Sequence, residues 1–299
     1  MPLFELKLEV TPDAVGEIEE SIASLEDGRL MLLEDKPTAR AWVAGYFENK
    51  DQVAPGLALL ESVLAPGWRR GTAEIRELAD QDWRDSYKAH FRAWTFGRLH
   101  WVPVWERETF VLPPGHAVIW LDPGLAFGTG NHETTRLCCE RLVAYAQARP
   151  PQGGNGSRPE VVIDAGCGSG ILALSAAKLG FSHATGFDND PEAVRVSEEN
   201  AELNGLSGRV PFTTADLITG LSGRRADLIL ANIQADVLMA FAPQLVGAVV
   251  PGGQLVLSGI LATENEQVRA AFAAAAPGWR IDARVLGEWS DLVLDRPQA

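Results

Sequence analysis

Strict alternation opens the chain. Phe4, Leu6, Leu8 and Val10 share one face and Glu5, Lys7 and Glu9 the other, which is the period of a half-buried strand. Pro12 and Asp13 then introduce Ala14, Ile18, Ile22 and Leu25 at helical spacing. Asp27-Gly28 turns into an apolar run over 30–33, and 39–47 is a second run rich in strand formers. Val53, Leu57, Leu60 and Leu64 restore the helical period, and 72–78 predicts one more strand. The order βαββαβ is the ferredoxin-like split pattern, an α+β arrangement, and it places a small first domain over 1–77. Residues 78–92 are polar and charged with Trp83, Tyr87 and Phe91 interspersed, which predicts a helical linker.

The remainder, 93–299, changes rhythm. Short alternating runs carry Trp94, Trp101, Trp105 and Trp120 between Pro103, Pro113 and Pro114, and these rings are expected in strands that bury them. Beyond 160, strands are expected over 161–164, 184–188, 210–214, 227–231 and 254–257. Helices are expected over 171–179, 191–204, 236–249 and 264–275, and a hairpin from 280–286 and 290–294. That alternation predicts an α/β domain with a doubly wound, Rossmann-like, mostly parallel sheet. A loop at 150–159, with three glycines and three prolines, leads into its first strand.

Composition narrows the class. At 299 residues, 46% hydrophobic and 22% charged, the chain has the length of about two domains and enough apolar residues for sizeable cores, which excludes disordered and fibrous classes. No run of 18 apolar residues occurs, and charges at Glu5 and Lys7 interrupt any secretory core, so a cytoplasmic protein without membrane contact is expected. Three cysteines, Cys138, Cys139 and Cys167, make neither a disulfide framework nor a C-x-x-C pair. They are expected as buried thiols, with no metal site. The formal net charge of −14 argues against a nucleic-acid partner. Half of it falls on 1–77, which holds 8 basic and 15 acidic residues.

Candidate chemistry sits where strands hand over to helices. Asp164-Ala165-Gly166-Cys167-Gly168-Ser169-Gly170 joins the first strand of the second domain to its first helix, and glycines there let the backbone approach a ligand. A dinucleotide fingerprint would need glycine at position 171, which is Ile171. An acid two residues before G-x-G-x-G is instead the pattern of S-adenosylmethionine enzymes, and it marks Asp164, Gly166 and Gly168 as cofactor-binding candidates. Asp188 ends the next strand, where a carboxylate accepts hydrogen bonds from both hydroxyls of a ribose. Asp190, followed by Pro191, reads as a helix start. Asn232 closes the apolar strand over 227–231, so it should face the same crevice, where its amide can steer the lone pair of an amine nucleophile. A turn residue is the bland alternative for it.

The stretch Asp122-Pro123-Gly124-Leu125-Ala126-Phe127-Gly128-Thr129-Gly130-Asn131-His132-Glu133-Thr134-Thr135 is too rich in special residues for an ordinary loop. With D-x-G-C-G-S-G-I-L-A and A-N-I-x-A, it resembles the ribosomal protein L11 methyltransferases, the PrmA family, along the whole chain. The resemblance implies a class I S-adenosylmethionine-dependent methyltransferase domain over 93–299 behind a ferredoxin-like substrate-recognition domain. It implies that Thr135, Gly166, Asp188 and Asn232 contact S-adenosylmethionine, that Phe127, Gly128 and Thr129 close over it, and that Asn232 is the catalytic residue lining the acceptor channel. The implied substrate is a basic large-subunit ribosomal protein, methylated on lysine side chains and on the N-terminal α-amine by a monomeric enzyme. Asn131, Glu133 and Gln234 depart from the family pattern, and His132 between the first two is read as a loop brace rather than a base. Rival readings are methylation of another protein or a small amine, and a non-catalytic nucleoside-binding assembly factor.

Overall fold

A computed structural model describes residues 3–23, 30–35, 40–47, 49–78, 93–122, 133–149 and 160–298. The chain divides into two compact units, Met1–Phe91 and Arg92–Ala299.

The first unit runs β1 (Leu3–Val10), α1 (Val15–Ala23), β2 (Leu30–Asp35), β3 (Arg40–Phe47), α2 (Val53–Val63) and β4 (Arg69–Leu78). Its strands form one antiparallel sheet in the order β2-β3-β1-β4, the ferredoxin-like topology. Alternation along β1 drives Phe4, Leu6, Leu8 and Val10 into a core shared with Ile18, Ile22 and Leu60 of the two helices. On the open face Lys7 and Arg40 lie over the Trp42 ring, and Arg40 pairs with Glu9. Strand β4 begins three residues earlier than the 72–78 pattern and takes in Leu78, the first residue of the expected linker. The rest of that linker, 79–92, lies outside the described residues, as do Leu25 and the Asp27-Gly28 turn.

In the second unit a three-stranded sheet comes first: β5 (Trp94–Phe96) and β6 (Leu99–Pro103) antiparallel, β6 and β7 (Ala117–Leu121) parallel. Of the four tryptophans expected in a core, only Trp101 is fully buried, its Nε1 donating to Ser175 Oγ at 2.9 Å. Trp94 and Trp120 are half-buried beneath the guanidinium groups of Arg136 and Arg107, and Trp105 is half-buried in a 3-10 turn. Trp94 and Trp120 each give one ring face to a cation.

The principal sheet has seven strands: β8 (Val161–Ala165), β9 (His183–Asp188), β10 (Phe212–Thr214), β11 (Ala226–Asn232), β12 (Val249–Leu261), β13 (Arg280–Leu286) and β14 (Trp289–Asp295). Their order is β10-β9-β8-β11-β12-β14-β13; the first five are parallel and the closing hairpin is antiparallel. Successive residues of β8 and β11 alternate between two cores, Val162, Leu228 and Leu230 on one side and Ile163, Ile229 and Ala231 on the other. Helices α3 (Glu133–Ala148), α4 (Ile171–Leu179) and α5 (Pro191–Leu203) cover the first side. The second is covered by α6 (Leu217–Leu221), α7 (Ala235–Ala240), α8 (Ala242–Ala248) and α9 (Asn265–Ala275).

Two departures from the pattern have local causes. The helix expected over 236–249 breaks at Phe241, because Pro243 can occupy only the first turn of a helix, here that of α8. Strand β12 spans thirteen residues where 254–257 was expected. It carries Pro251-Gly252-Gly253 through a register shift against β11 rather than ending at them. Helices α3 and α6 were not anticipated at all. All three cysteines are buried, as their composition suggested.

Candidate active site

The carboxyl ends of β8, β9 and β11 converge on one crevice, as the parallel sheet requires. After Ala165 the backbone takes left-handed turns at Gly166, Gly168 and Gly170, with φ of 74°, 51° and 74°. Glycine at 166 is obligatory twice over: φ is positive, and a Cβ there would stand 2.4 Å from Ile233 Cγ2. Gly166 and Cys167 donate their N–H groups to the Phe187 carbonyl at 2.9 Å, so the turn is pinned to the neighbouring strand. From the other side, Ser197 Oγ donates to the Gly168 carbonyl at 2.8 Å and Asn200 Nδ2 to the Ser169 carbonyl at 2.9 Å.

Asp188 completes this frame. One carboxylate oxygen accepts from Gly168 N at 2.9 Å and the other from Asp190 N at 3.0 Å. Each oxygen retains a second lone pair for a ligand hydroxyl. Asp190 caps α5, accepting from Glu192 N with Pro191 in the first turn. Asp164, two residues before Gly166, is 1% exposed; Oδ2 accepts from Ala173 N at 3.0 Å and Oδ1 has no partner. Burial pushes its pKa up to about 8, Ala173 N pulls it down and the Asp188 charge adds to the rise. Burial likewise raises the Cys167 thiol, leaving it a packed thiol beside Ser197 rather than a nucleophile.

A cleft of about 490 Å³ opens beside the turn, lined by Gly166, Phe187, Asp188, Asn189, Ala215, Asp216, Leu217, Ile233, Gln234, Val237 and Phe241. Its walls are mainly apolar with the carboxylates of Asp188 and Asp216 among them, a lining suited to a flat base and a sugar. Of the residues singled out from sequence, Gly166, Asp188 and Gln234 line it. Asn232 ends β11 one residue before Ile233, and its Nδ2 donates to Thr135 Oγ1 of α3 at 3.2 Å, so these two candidates meet. Phe127, Gly128, Thr129 and His132 lie outside the described residues. The segment Ala215-Asp216-Leu217 and the apolar wall of Val237 and Phe241 were missed. A signal existed for the first: Asp216 and Thr219, three apart, form a capping box at the start of a helix. Among the described residues no His/Cys/Asp/Glu cluster could hold a metal ion, and no helix is long and apolar enough to cross a membrane.

Numbered in chain order from β8, the strands stand 3-2-1-4-5-7-6 with an antiparallel pair at the end. With the glycine turn and the acid at the end of the second strand, that arrangement defines a class I methyltransferase fold. The family model described as ribosomal protein L11 methyltransferase (PrmA) matches residues 10–297. Among relatives, the ribosomal protein L11 methyltransferase of Pseudomonas aeruginosa (strain LESB58) is 40% identical over 293 residues, 92% of each chain. That of Azotobacter vinelandii (strain DJ / ATCC BAA-1303) is 38% identical over 306 residues, 94% of this chain and 99% of its own. A crystal structure of the ribosomal protein L11 methylase of Lactobacillus delbrueckii subsp. bulgaricus superposes with a TM-score of 0.59 at 32% identity, covering 70% of this chain and all of that one. The chain belongs to the ribosomal protein L11 methyltransferase (PrmA) family.

Proposed function

We propose that this chain transfers methyl groups from S-adenosylmethionine to amines of ribosomal protein L11, on lysine side chains and on the N-terminal α-amine. The family match over residues 10–297 carries the reading of the substrate. The crevice supports the reading of the cofactor: a turn that admits no Cβ at Gly166, a strand-end carboxylate at Asp188 and an apolar cleft of about 490 Å³ fit a nucleoside with a charged amino-acid tail. When bound, S-adenosylmethionine supplies an electrophilic methyl group on a sulfonium.

The chain's own residues supply binding and orientation. Asp188 accepts the ribose hydroxyls, Gly166 and Gly168 give backbone approach, and Asp164, with its unpaired buried oxygen, lies under the turn. Thr135, Phe127, Gly128 and Thr129 complete the cofactor set. The nucleophile must be neutral, and a lysine amine near pKa ~10.4 is mostly protonated at pH 7, whereas an α-amine at ~7.7–8.0 is not. The lysine therefore gives its proton to water before it docks, the desolvated site favours the neutral amine, and Asn232 holds that amine with its lone pair toward the methyl group. No base is required of the residues in place. The first unit, with 8 basic and 15 acidic residues over 1–77, docks the basic ribosomal protein by charge.

The test is to incubate the protein with methyl-labelled S-adenosylmethionine and ribosomal proteins from cells lacking the enzyme, then locate the label by mass spectrometry. Label on lysines of ribosomal protein L11 is expected. Turnover with no label on any large-subunit protein overturns the substrate.

A further inference from the structure

We propose that Gln234 binds the base of the cofactor, its carboxamide meeting the polar edge of adenine; this rests on the reading of the crevice above. Gln234 departs from the family pattern and stands two residues after Asn232, which makes the acceptor channel the first place to expect it. The fold sends the two side chains to different places. Asn232 bonds Thr135 of α3, whereas Gln234 lines the cleft that also holds Asp188. The backbone carrying Gln234 is fixed. Ile233 N donates to the Ser258 carbonyl at 3.2 Å, and the Gln234 carbonyl accepts from Leu238 N at 3.0 Å. Gly259, with φ of 81°, leaves room for the Ile233 carbonyl that a Cβ there would strike. The side chain has no such task. Gln234 is exposed, it precedes α7 without capping it, and among the described residues its amide makes no hydrogen bond.

The lining sorts a base by polarity. Leu217, Ile233, Val237 and Phe241 offer apolar surface to its ring faces, so its polar edge must meet the polar part of the wall. Adenine carries an N–H donor beside a ring-nitrogen acceptor, a pair that a carboxamide matches with two hydrogen bonds. A carboxylate cannot match it. Asp216 accepts at Oδ1 from Thr219 N and from the Thr219 hydroxyl, both at 2.7 Å. The Thr219 N–H holds its pKa below the usual carboxylate range, so Asp216 is ionised and can only accept. Among the lining residues only Gln234 and Asn189 have side chains that both donate and accept. Asn189 directly follows the ribose acid Asp188, which leaves Gln234 for the base.

The test compares the wild type with Gln234→Ala, Gln234→Leu, Gln234→Glu and Asn189→Ala. Two ligands are titrated by calorimetry: S-adenosylhomocysteine, and its purine-riboside analogue, which lacks the 6-amino group. Because the Gln234 side chain is exposed and bonds no described residue, its variants are expected to unfold at the wild-type midpoint. Losing two hydrogen bonds to the base should weaken S-adenosylhomocysteine about tenfold in Q234A and equally in Q234L, which keeps the bulk. Q234E, which accepts but cannot donate, should fall between them and the wild type. The decisive reading is the coupling between residue and amino group. The wild type should bind the analogue about tenfold less tightly than S-adenosylhomocysteine, and Q234A should tell the two apart by no more than about threefold. N189A should keep the wild-type preference. The inference is overturned if Q234A retains that preference, or if N189A loses it instead. It is also overturned if Q234A binds S-adenosylhomocysteine as the wild type does while methyl transfer to ribosomal protein L11 slows, which places Gln234 at the acceptor. A wild type that binds neither ligand overturns the reading of the crevice, and this inference with it.

Discussion

Asp164 and Asp291 are both buried carboxylates of the second unit, 1% and 0% exposed, and their surroundings are opposite. Asp291, on the hairpin at one edge of the sheet, accepts two bonds from the Arg141 side chain and three from the Arg284 backbone and side chain, at 2.8 to 3.2 Å. The same arginines reach out to Asp282 and Glu140. Asp164, at the crevice, has one backbone N–H and an oxygen with no partner. A buried charge that only holds elements together is surrounded by its own counter-charges. Asp164 is left short of partners, and burial keeps it protonated up to about pH 8. The hairpin end of the sheet holds its buried charge among counter-charges; the crevice end, where the cofactor is proposed to bind, does not.

Removing the satisfied carboxylate should give the largest loss of stability. Asp291→Ala leaves Arg141 and Arg284 without their shared partner. Because Asp282 and Glu140 remain, the expected cost is at the lower end of the range for a broken buried pair, about 3 kcal/mol, read by denaturant unfolding. At a temperature where the variant is folded, its affinity for S-adenosylhomocysteine should match the wild type. Gly166→Ala acts at the crevice end. The left-handed φ costs about 1–2 kcal/mol for a non-glycine residue, and the new Cβ must displace Ile233 from the cleft wall. Affinity is expected to fall more than stability, and equal falls in both would erase the contrast between the two ends.

Asp164→Asn should act through the pH dependence of stability. The folded state holds a proton on Asp164 up to about pH 8, whereas the unfolded chain releases it near pH ~3.9. Between those values the folded state binds more protons, so this group's contribution to stability declines as pH rises from ~4 to about 8 and then levels. Asparagine cannot titrate. Without cofactor, the variant's unfolding midpoint should therefore drop less than that of the wild type between pH 5 and pH 8; parallel drops would show that Asp164 is ionised throughout.

Much of the crevice was legible before any coordinates because its residues sit at chain-local signals. The helix Ile171–Leu179 is bounded by Gly170 and Gly180, both in the left-handed conformation, so its limits follow from the glycines alone. Asp188 and Asn232 end apolar runs, and a parallel sheet gathers such ends on one side. The alternation of β1 and the spacing of Ile18 and Ile22 made the first unit equally plain. What stayed hidden depends on partners far away in sequence. The Arg141–Asp291 pair spans 150 positions and the Asn232–Thr135 bond 97, and no local period announces either. Helix α3 was obscured because Arg141, half-buried, breaks the apolar spacing of its packed face; it serves the hairpin cluster. The long β12 was obscured because Pro251, Gly252 and Gly253 ordinarily end a strand, and here a register shift absorbs them.

The most direct measurement is a calorimetric titration of the full chain and of Asp188→Ala with S-adenosylhomocysteine, with Asp291→Ala beside them as the folded control. One site per chain is expected in the wild type and in Asp291→Ala. Asp188→Ala should lose at least about a hundredfold in affinity, the worth of two hydrogen bonds to a charged acceptor. Binding by Asp188→Ala as tight as wild type, or none by the wild type, would contradict a cofactor site at the end of β9.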